Sequence, residues 1–314
     1  MFKNQCALVT AIEKNKLLKE LLRLRIKLMA MSETNTLIAT HVIVDESIEV
    51  VGLSNCMLFV ELDSTAVSFA VRASQSNRFL AFGVYRFSSL TDLGSIIEND
   101  EFLAFKEYEK ILVAVVNIKS TLIPEVLFDE TKKLELLAFN HTIDADESVA
   151  KDDFRFFDVK NIFAVPDELI NLIEDKFSQP FIHHCSTTFI ERVLLKNKNK
   201  KEIIVNANLH CEQLELAVAK DNQLLYFNSF NCQSAEDFIY YIMFAYEQLG
   251  LNPEQIVLEL SGNVSKHSPY LTISKKYIRF VQFALRNDNR SFSYGFENLP
   301  SHQYQTLFDL SLCV

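Results

Sequence analysis

The sequence predicts an α/β fold made of two similar halves, and three observations lead to that prediction. A pattern of three strands, a helix and a further strand occurs twice, over residues 56–118 and again over residues 202–260. Short polar turns join the first three strands of each unit, which favours an antiparallel meander. The last strand of each unit is continuously apolar, as expected for a strand buried on both faces.

The first unit begins with three strands, the third of them rich in aromatic residues. Its strands are predicted over residues 56–62, 66–73, 78–87 and 111–116. Thr91 or Asp92 is suited to cap the helix between the third and fourth strands, and that helix should continue through Phe105.

The segment between the two units is predicted to be mostly helical. Helices are predicted over residues 122–139, 167–177 and 181–195, with a polar loop over 140–151 and a short buried strand over 161–165. Pro124 suits the first turn of the first of these helices, and Asp167 can cap the second. The third helix should link the halves, and the charge run at residues 196–201 is typical of a solvated turn.

The second unit repeats the scheme. Its strands are predicted over residues 202–209, 212–220, 224–230 and 255–260. Asp221 and Asn222 form a hairpin turn, Ser234 caps the long helix, and Gly250 ends it. Beyond the repeat, a helix is predicted over 268–277, a strand over 278–285, and a last helix from Pro300 and Ser301.

Composition argues against several classes of function. The 314 residues carry a formal net charge of -10, which disfavours a nucleic-acid partner because phosphates are bound by clustered Lys and Arg. The 6 cysteines lie far apart without a CxxC pair, which favours reduced thiols in a cytoplasm. No apolar run approaches the roughly 18–20 residues that cross a bilayer. We therefore expect a cytoplasmic protein that binds neither nucleic acid nor a membrane.

The N-terminal residues differ from the rest in charge. Residues 1–30 carry seven Lys or Arg and two Asp or Glu around a helix-like leucine pattern. They form either a membrane-surface helix or an extension, disordered or arising from a mis-assigned start, and Met29 and Met31 favour the second interpretation. The expected divisions are this extension, a first half over residues 31–197 and a second half over residues 198–314.

The order of each unit is similar to that of a ribonuclease H-like subdomain, and two such units in one chain resemble the actin-like ATPase superfamily. Several segments resemble, more specifically, an uncharacterised bacterial family with that fold, domain of unknown function 3822. These segments are residues 120–129, 139–143, 163–166, 183–188, 260–270 and 299–313. The resemblance implies an α/β fold of two ribonuclease H-like βββαβ subdomains in an actin-like ATPase arrangement. It implies no activity.

The actin-like ATPases that the chain resembles place an aspartate and glycines in the first hairpin of each half. The carboxylate handles Mg²⁺ or water, and the glycine amides contact phosphates. In the first unit, Asp63, Ser64 and Thr65 occupy that place without a glycine. In the second unit, residues 206–210 supply neither Asp nor Gly.

The resemblance also implies an adenosine-contacting loop after the second buried strand. Ser261, Gly262 and Asn263 occupy that place and keep one glycine. Glycine is rare throughout, with 6 in the chain where average usage gives about 22. Because glycine is the default where backbone amides approach a phosphate, this scarcity weakens the prediction of a nucleotide site.

Histidine and cysteine residues suggest a second kind of site. His183, His184 and Cys185, together with His210 and Cys211, suggest a zinc site or a Cys/His nucleophile pair. Adjacent residues point in different directions, so neither group chelates alone, although the two groups could meet where the halves join. Ordinary buried or capping roles are expected instead, and no metal ligand is assigned.

A two-metal nuclease of the ribonuclease H type would need carboxylates on the first strand, the helix and the fourth strand. The first unit offers Glu61 or Asp63 and Glu98, but its fourth strand ends in Val116 and Asn117. The second unit is also incomplete, so a nuclease is not expected.

We therefore expect a non-catalytic binding or scaffold protein with degenerate phosphate loops, which binds a protein partner or self-associates. The alternative is an ATP-binding or kinase-like enzyme with a divergent cleft between the halves. There, Asp63, Ser64 and Thr65 would meet Mg²⁺ and phosphate, while Ser261 to Asn263 would meet the base or ribose. No cofactor is assigned apart from this alternative use of ATP and Mg²⁺.

Overall fold

The computed structural model describes residues 39–155, 157–198, 200–286 and 290–313, so the expectation for residues 1–30 lies outside the described residues. The strands are β1 (Ala39–Val44), β2 (Cys56–Asp63), β3 (Ala66–Ala73), β4 (Arg78–Arg86), β5 (Lys110–Val115), β6 (Ser120–Pro124), β7 (Glu147–Asp153), β8 (Val159–Pro166), β9 (Phe181–His184), β10 (Ile204–Leu209), β11 (Gln213–Lys220), β12 (Gln223–Asn231), β13 (Val257–Gly262), β14 (Val281–Phe283) and β15 (Ser291–Phe292). The helices are α1 (Ile48–Val51), α2 (Leu90–Asn99), α3 (Lys133–Ala138), α4 (Asp167–Lys176), α5 (Cys185–Asn197), α6 (Ala235–Gln248), α7 (Pro269–Tyr277) and α8 (Gln305–Asp309).

Two sheets share the order of five strands, and the first sheet has two more, β1 and β15, which both pair with β4. The first runs β1-β4-β3-β2-β5-β9, and the second runs β12-β11-β10-β13-β14. In each, a three-stranded antiparallel meander is extended by a parallel strand beside its first member, β5 beside β2 and β13 beside β10. The predicted α/β fold with a repeated βββαβ unit is therefore confirmed. A small third sheet, β6-β8-β7, is inserted between β5 and β9.

The two halves are joined by segments that cross between them. Helix α5 follows β9 of the first sheet, but its apolar side chains, such as Phe189 and Val193, pack on Ala217 and Ala219 of β11 in the second sheet. In the opposite direction, the C-terminal segment returns from the second sheet, and Phe308 of α8 lies in the apolar cluster of the first. The faces on which α5 and α8 pack are called the inner faces. The outer faces are covered by α2 and α4 on the first sheet and by α6 and α7 on the second.

Most predicted strands of the two units are confirmed to within a residue or two. The predicted hairpin turn is present, with Asp221 and Asn222 at φ of 47° and 65°. Ser234 caps α6 by accepting a hydrogen bond from the N–H of Asp237 at 3.0 Å, and Gly250 has the positive φ that ends a helix.

The predicted helix over residues 122–139 is wrong. Residues 120–124 form strand β6, and only Lys133–Ala138 is α-helical. Strand β6 lies at an edge of the third sheet, where Pro124 is tolerated because its missing N–H is not needed by a neighbour. The expected loop over 140–151 is likewise partly strand, since β7 pairs with β8 from Glu147 onward.

Four other boundaries differ from expectation. Residues 181–184 form an edge strand instead of the start of the linking helix. Helix α2 is capped by Ser89 rather than by Thr91 or Asp92. It ends at Asn99 and does not reach Phe105, because the carboxylate of Asp100 accepts the N–H groups of two following residues and forms a turn. The last helix begins at Gln305, after the turn that Pro300 opens.

Within the described ranges, no helix is long and apolar enough to cross a membrane.

Candidate functional site

The two sheets face each other across a cleft, and the first hairpin turn of each half lies at its mouth. Asp63 ends β2 and Cys211 lies in the turn between β10 and β11. One carboxylate oxygen of Asp63 accepts the backbone N–H of Ser64 at 2.7 Å, and the other accepts the backbone N–H of Cys211 at 3.0 Å. The two turns are therefore bonded directly to each other.

The Cys211 thiol is surrounded by polar groups from both halves. Its sulfur lies 3.7 Å from Thr65 Oγ1, 3.7 Å from Arg86 Nη1 and 3.9 Å from Asn263 Nδ2. Burial, followed by the negative charge of Asp63, raises the pKa of the Cys211 thiol. The thiol is thus held in its neutral form, which is unreactive as a nucleophile.

A segment from the C-terminus lies in the same cleft. Tyr304 adopts a left-handed conformation with φ of 55°, and its ring meets Phe82 of the first sheet edge-on at 4.8 Å. The hydroxyl oxygen of the neighbouring Thr306 accepts a hydrogen bond from Asn208 of the second sheet at 3.2 Å. This segment therefore contacts both halves where they face each other.

Gly262 is required by packing between two strands. It has φ of 83°, and a Cβ there would lie 2.1 Å from the carbonyl oxygen of Leu209. Its N–H donates to the carbonyl of His302 at 2.8 Å, and the N–H of Asn263 donates to Leu209 at 2.7 Å. The one glycine that remains at the predicted adenosine loop thus uses its backbone donor within the protein.

The six candidate residues do not all reach the cleft. Asp63, Gly262 and Asn263 line a small inner hollow of about 50 Å³. Ser64 and Thr65, again with Asn263, line a more open outer hollow of about 440 Å³. Ser261 is buried below the cleft, where its hydroxyl donates to Asn208 at 2.8 Å and accepts from Arg192 of α5 at 3.0 Å.

A buried polar cluster joins both halves at the inner hollow, which Glu61 and His210 line. Glu61 of β2 lies 3.8 Å from His210 Nδ1, and His210 Nε2 lies 2.9 Å from Glu215 of β11. Burial raises the pKa of Glu61 to about 7, although the charge of His210 opposes this. Burial also opposes the charged forms of the other two. Hydrogen bonds with Cys185 and Glu215 nevertheless hold the pKa of His210 well above its usual value, and the hydrogen bond with His210 holds the pKa of Glu215 well below its usual value.

The two groups that suggested a zinc site do meet where the halves join, but only in part. Cys185, the first residue of α5, lies with its sulfur 3.6 Å from Glu215, which is also bonded to His210. His183 points elsewhere, with Nδ1 3.0 Å from Asp152. The ring of His184 accepts the N–H of Ser186 as the cap of α5. Burial raises the pKa of the Cys185 thiol to about 12.

Sequence reasoning missed Glu215 and the C-terminal residues of the cleft. Glu215 is a fully buried carboxylate between Leu214 and Leu216, and a charge inside an otherwise apolar strand was the available signal. Tyr304 and Thr306 gave no comparable signal, because their position depends on the return of the chain to the first sheet.

Comparisons with known proteins support the fold described above. A family model described as "Protein of unknown function (DUF3822)" matches residues 45–281, and no curated protein matches the chain by sequence. A Bacteroides thetaiotaomicron VPI-5482 protein with an actin-like ATPase fold and unknown function is similar with a TM-score of 0.68 and 23% identity, over 74% of this chain and 91% of that one. A chain of the PilM-PilN type IV pilus biogenesis complex is similar with a TM-score of 0.56 and 11% identity, over 82% of this chain and 98% of that one. At these identities the likeness establishes the actin-like fold alone.

Proposed function

We propose that this chain, which belongs to the DUF3822 family of proteins of unknown function, is a non-catalytic binding or scaffold protein on an actin-like fold. The supporting observation is the 3.0 Å hydrogen bond from the Cys211 N–H to the Asp63 carboxylate. It joins the two turns between which a nucleotide phosphate would lie. The backbone donor that an anion would need is already bonded to an anion of the protein itself.

The electrostatics and packing of the cleft support the same proposal. The carboxylate of Asp63 lines the inner hollow, where its negative charge opposes entry of a phosphate, although Arg86 lines the same hollow. Tyr304 and Thr306 already occupy space between the halves. The inner hollow has a volume of about 50 Å³, so a nucleotide could enter it only by displacing the protein around it.

A protein is the partner that we propose. The PilM-like neighbour belongs to a complex with PilN, and assembly with another chain is transferred here by analogy of fold. Large apolar side chains on the inserted third-sheet region are left in solvent, with Val126 and Phe139 exposed to 89% and 90%.

If the chain self-associates, sedimentation velocity should show larger species as the concentration rises, and Phe139→Ser should remove them. A monomer at every concentration would leave a different protein as the partner.

Thermal unfolding with and without millimolar Mg-ATP tests the absence of a nucleotide site. We expect no change, whereas a nucleotide at a hundredfold excess over its dissociation constant would stabilise the protein by about 2.7 kcal/mol. Asp63→Ala is the matched variant, because it frees the Cys211 N–H and removes one negative charge from the cleft. An upward shift in the wild type that disappears in Asp63→Ala would contradict the proposal.

ATP binding is the second candidate, and the outer hollow is the observation that favours it. Its volume of about 440 Å³ lies within the usual range of ligand sites, and Ser64, Thr65 and Arg86 offer hydroxyls and a positive charge there. If this candidate is right, the same titration should stabilise the wild type, and Arg86→Gln should weaken the effect. Ser261→Ala, which alters a buried residue outside the hollow, should leave it unchanged.

A further inference from the structure

We infer that Cys185, His210 and Glu215 form a site for one divalent transition-metal ion, and that zinc is the ion that best fits their donor atoms. The three residues each offer one donor atom, and these atoms lie within 4.8 Å of one another. The sulfur of Cys185 is 3.6 Å from one oxygen of Glu215, and Nε2 of His210 is 2.9 Å from the other. An ion placed among them needs only small shifts of side chains to reach bonding distances of about 2.0–2.3 Å.

The donor set selects the class of ion. One thiolate, one imidazole and one carboxylate suit zinc and its first-row neighbours, whereas Mg²⁺ and Ca²⁺ prefer oxygen donors alone. All three residues are buried, and burying an uncompensated charge is costly. A thiolate and a carboxylate carry two negative charges, so a divalent ion with neutral His210 leaves the buried site without net charge.

Groups around the three donors are arranged as they are around known metal sites. The second ring nitrogen of a metal-bound histidine usually donates to a carboxylate, which fixes the tautomer of the ring. Here Glu61 lies 3.8 Å from His210 Nδ1, and its Oε2 has no hydrogen-bond partner within the described part of the chain. Ser186 and Asn208 each donate to Glu215, at 2.7 Å and 3.1 Å, which fixes the orientation of the carboxylate.

The inner hollow supplies a fourth ligand and a route of entry. His210 and Glu61 line this space of about 50 Å³, which is enough for a water molecule. The outer hollow shares His210 and Cys211 with it, so an ion can pass from solvent along the cleft. Three protein ligands and one water complete the four-coordinate geometry of zinc.

The ion would join two separate parts of the chain directly. Cys185 begins the crossing helix α5, while Glu215 lies on β11 and His210 lies in the turn between β10 and β11. Glu61, whose Oε1 lies 3.8 Å from His210 Nδ1, belongs to the first sheet. Without an ion, the same groups form a hydrogen-bonded network in which protonated His210 faces ionised Glu215, and this metal-free network is the outcome that would overturn the inference.

Cobalt(II) is a suitable probe, because a thiolate bound to it gives a charge-transfer absorption that zinc(II) does not. Chelator-treated wild-type protein should bind one equivalent of Co²⁺ with this band, and added Zn²⁺ should remove it by displacement. Cys185→Ser should abolish the band. Cys211→Ser, which alters the thiol next to His210 but outside the site, should retain it. Glu61→Gln should weaken binding about 10–100-fold.

The wild-type titration decides the inference even if a variant fails to fold, which circular dichroism would reveal. Absence of the band in folded wild-type protein would overturn it, as would a band that persists in Cys185→Ser and disappears in Cys211→Ser. This test does not depend on the nucleotide titration, because the probe ion contains no phosphate.

Discussion

The inner faces of the two sheets have different chemistry although the sheets share the order of five strands. On the first sheet, Phe59, Phe79 and Phe82 form an aromatic layer that is completed by Phe296 and Phe308 from the C-terminal segment. The ring of Phe308 meets those of Phe79 and Phe82 at centroid distances of 5.1 and 5.9 Å. This face is held by apolar burial.

The inner face of the second sheet is buried and carries polar side chains beside Ala217 and Ala219. Asn208, Glu215 and Glu259 lie on it, each at most 3% exposed, and two cations of α5 meet this sheet, Arg192 at Ser261 and Lys196 at Glu259. One topology thus supports two kinds of interior, because strand pairing fixes the backbone while the inner side chains only need to fill space and satisfy their hydrogen bonds. The two kinds should respond differently to truncation, pH and loss of a charge.

Truncation of the aromatic layer should have the largest effect. Phe308→Ala removes a ring that is 1% exposed and should lower the free energy of unfolding by about 3–5 kcal/mol, as measured by urea denaturation. Phe139→Ala is the matched control, since that ring is 90% exposed and its loss should change stability by less than about 0.5 kcal/mol. Equal effects would mean that the C-terminal segment does not pack as described.

The polar cluster should make stability depend on pH near neutrality, through Glu61. The pKa of Glu61 is raised from 4.5 to about 7 by burial, so the folded state keeps a proton that the unfolded state releases. The stabilisation that Glu61 contributes is therefore fully present below about pH 4.5 and is lost as the pH rises to about 7. The free energy of unfolding should fall by on the order of 3 kcal/mol over this range. The difference in unfolding free energy between metal-free wild type and Glu61→Gln, measured between pH 4.5 and 7.5, should show this loss. Phe308→Ala should keep the pH profile of the wild type.

Removal of one cation from the polar face should have a smaller effect. Lys196 Nζ lies 2.5 Å from Glu259, whose side chain is 3% exposed. Lys196→Met keeps the aliphatic stem but leaves the carboxylate with Gln282 alone, and should cost about 1.5–3 kcal/mol. The double variant with Glu259→Leu should recover much of this loss, because no charge then remains buried without a partner. Chemical denaturation of both variants measures their free energies of unfolding. A double variant that is less stable than Lys196→Met would mean that the pair itself stabilises the fold.

Much of the fold could be predicted because it follows from local patterns. The β2, β3 and β4 strands alternate or run apolar between polar turns, and their ends were predicted to within one residue. Predictions failed where a neighbour in space decides the structure. A helix was predicted over part of strand β6, because nothing within residues 120–124 shows that β8 lies beside them. The four residues of β9 are too few to show a period.

The candidate site was predictable in its residue types but not in its contacts. The resemblance indicated the turn at Asp63, and the missing glycines indicated that it would not bind phosphate in the usual way. That its carboxylate instead bonds Cys211 depends on how the halves face each other, which leaves no trace in sequence spacing. The sequence indicated that residues 183–185 and residues 210–211 could meet, without indicating which of their side chains would do so. Glu215 was not recognised, since one acidic residue in a strand is usually solvated.

The exchange of α5 and α8 between the halves has a consequence for how the molecule comes apart. Each half completes its interior with a helix that belongs to the other half. A protease cut near residue 200 should therefore leave two fragments that stay associated, rather than two free domains. Heating should then give a single calorimetric peak, because neither fragment can melt without uncovering the apolar surface of its counterpart.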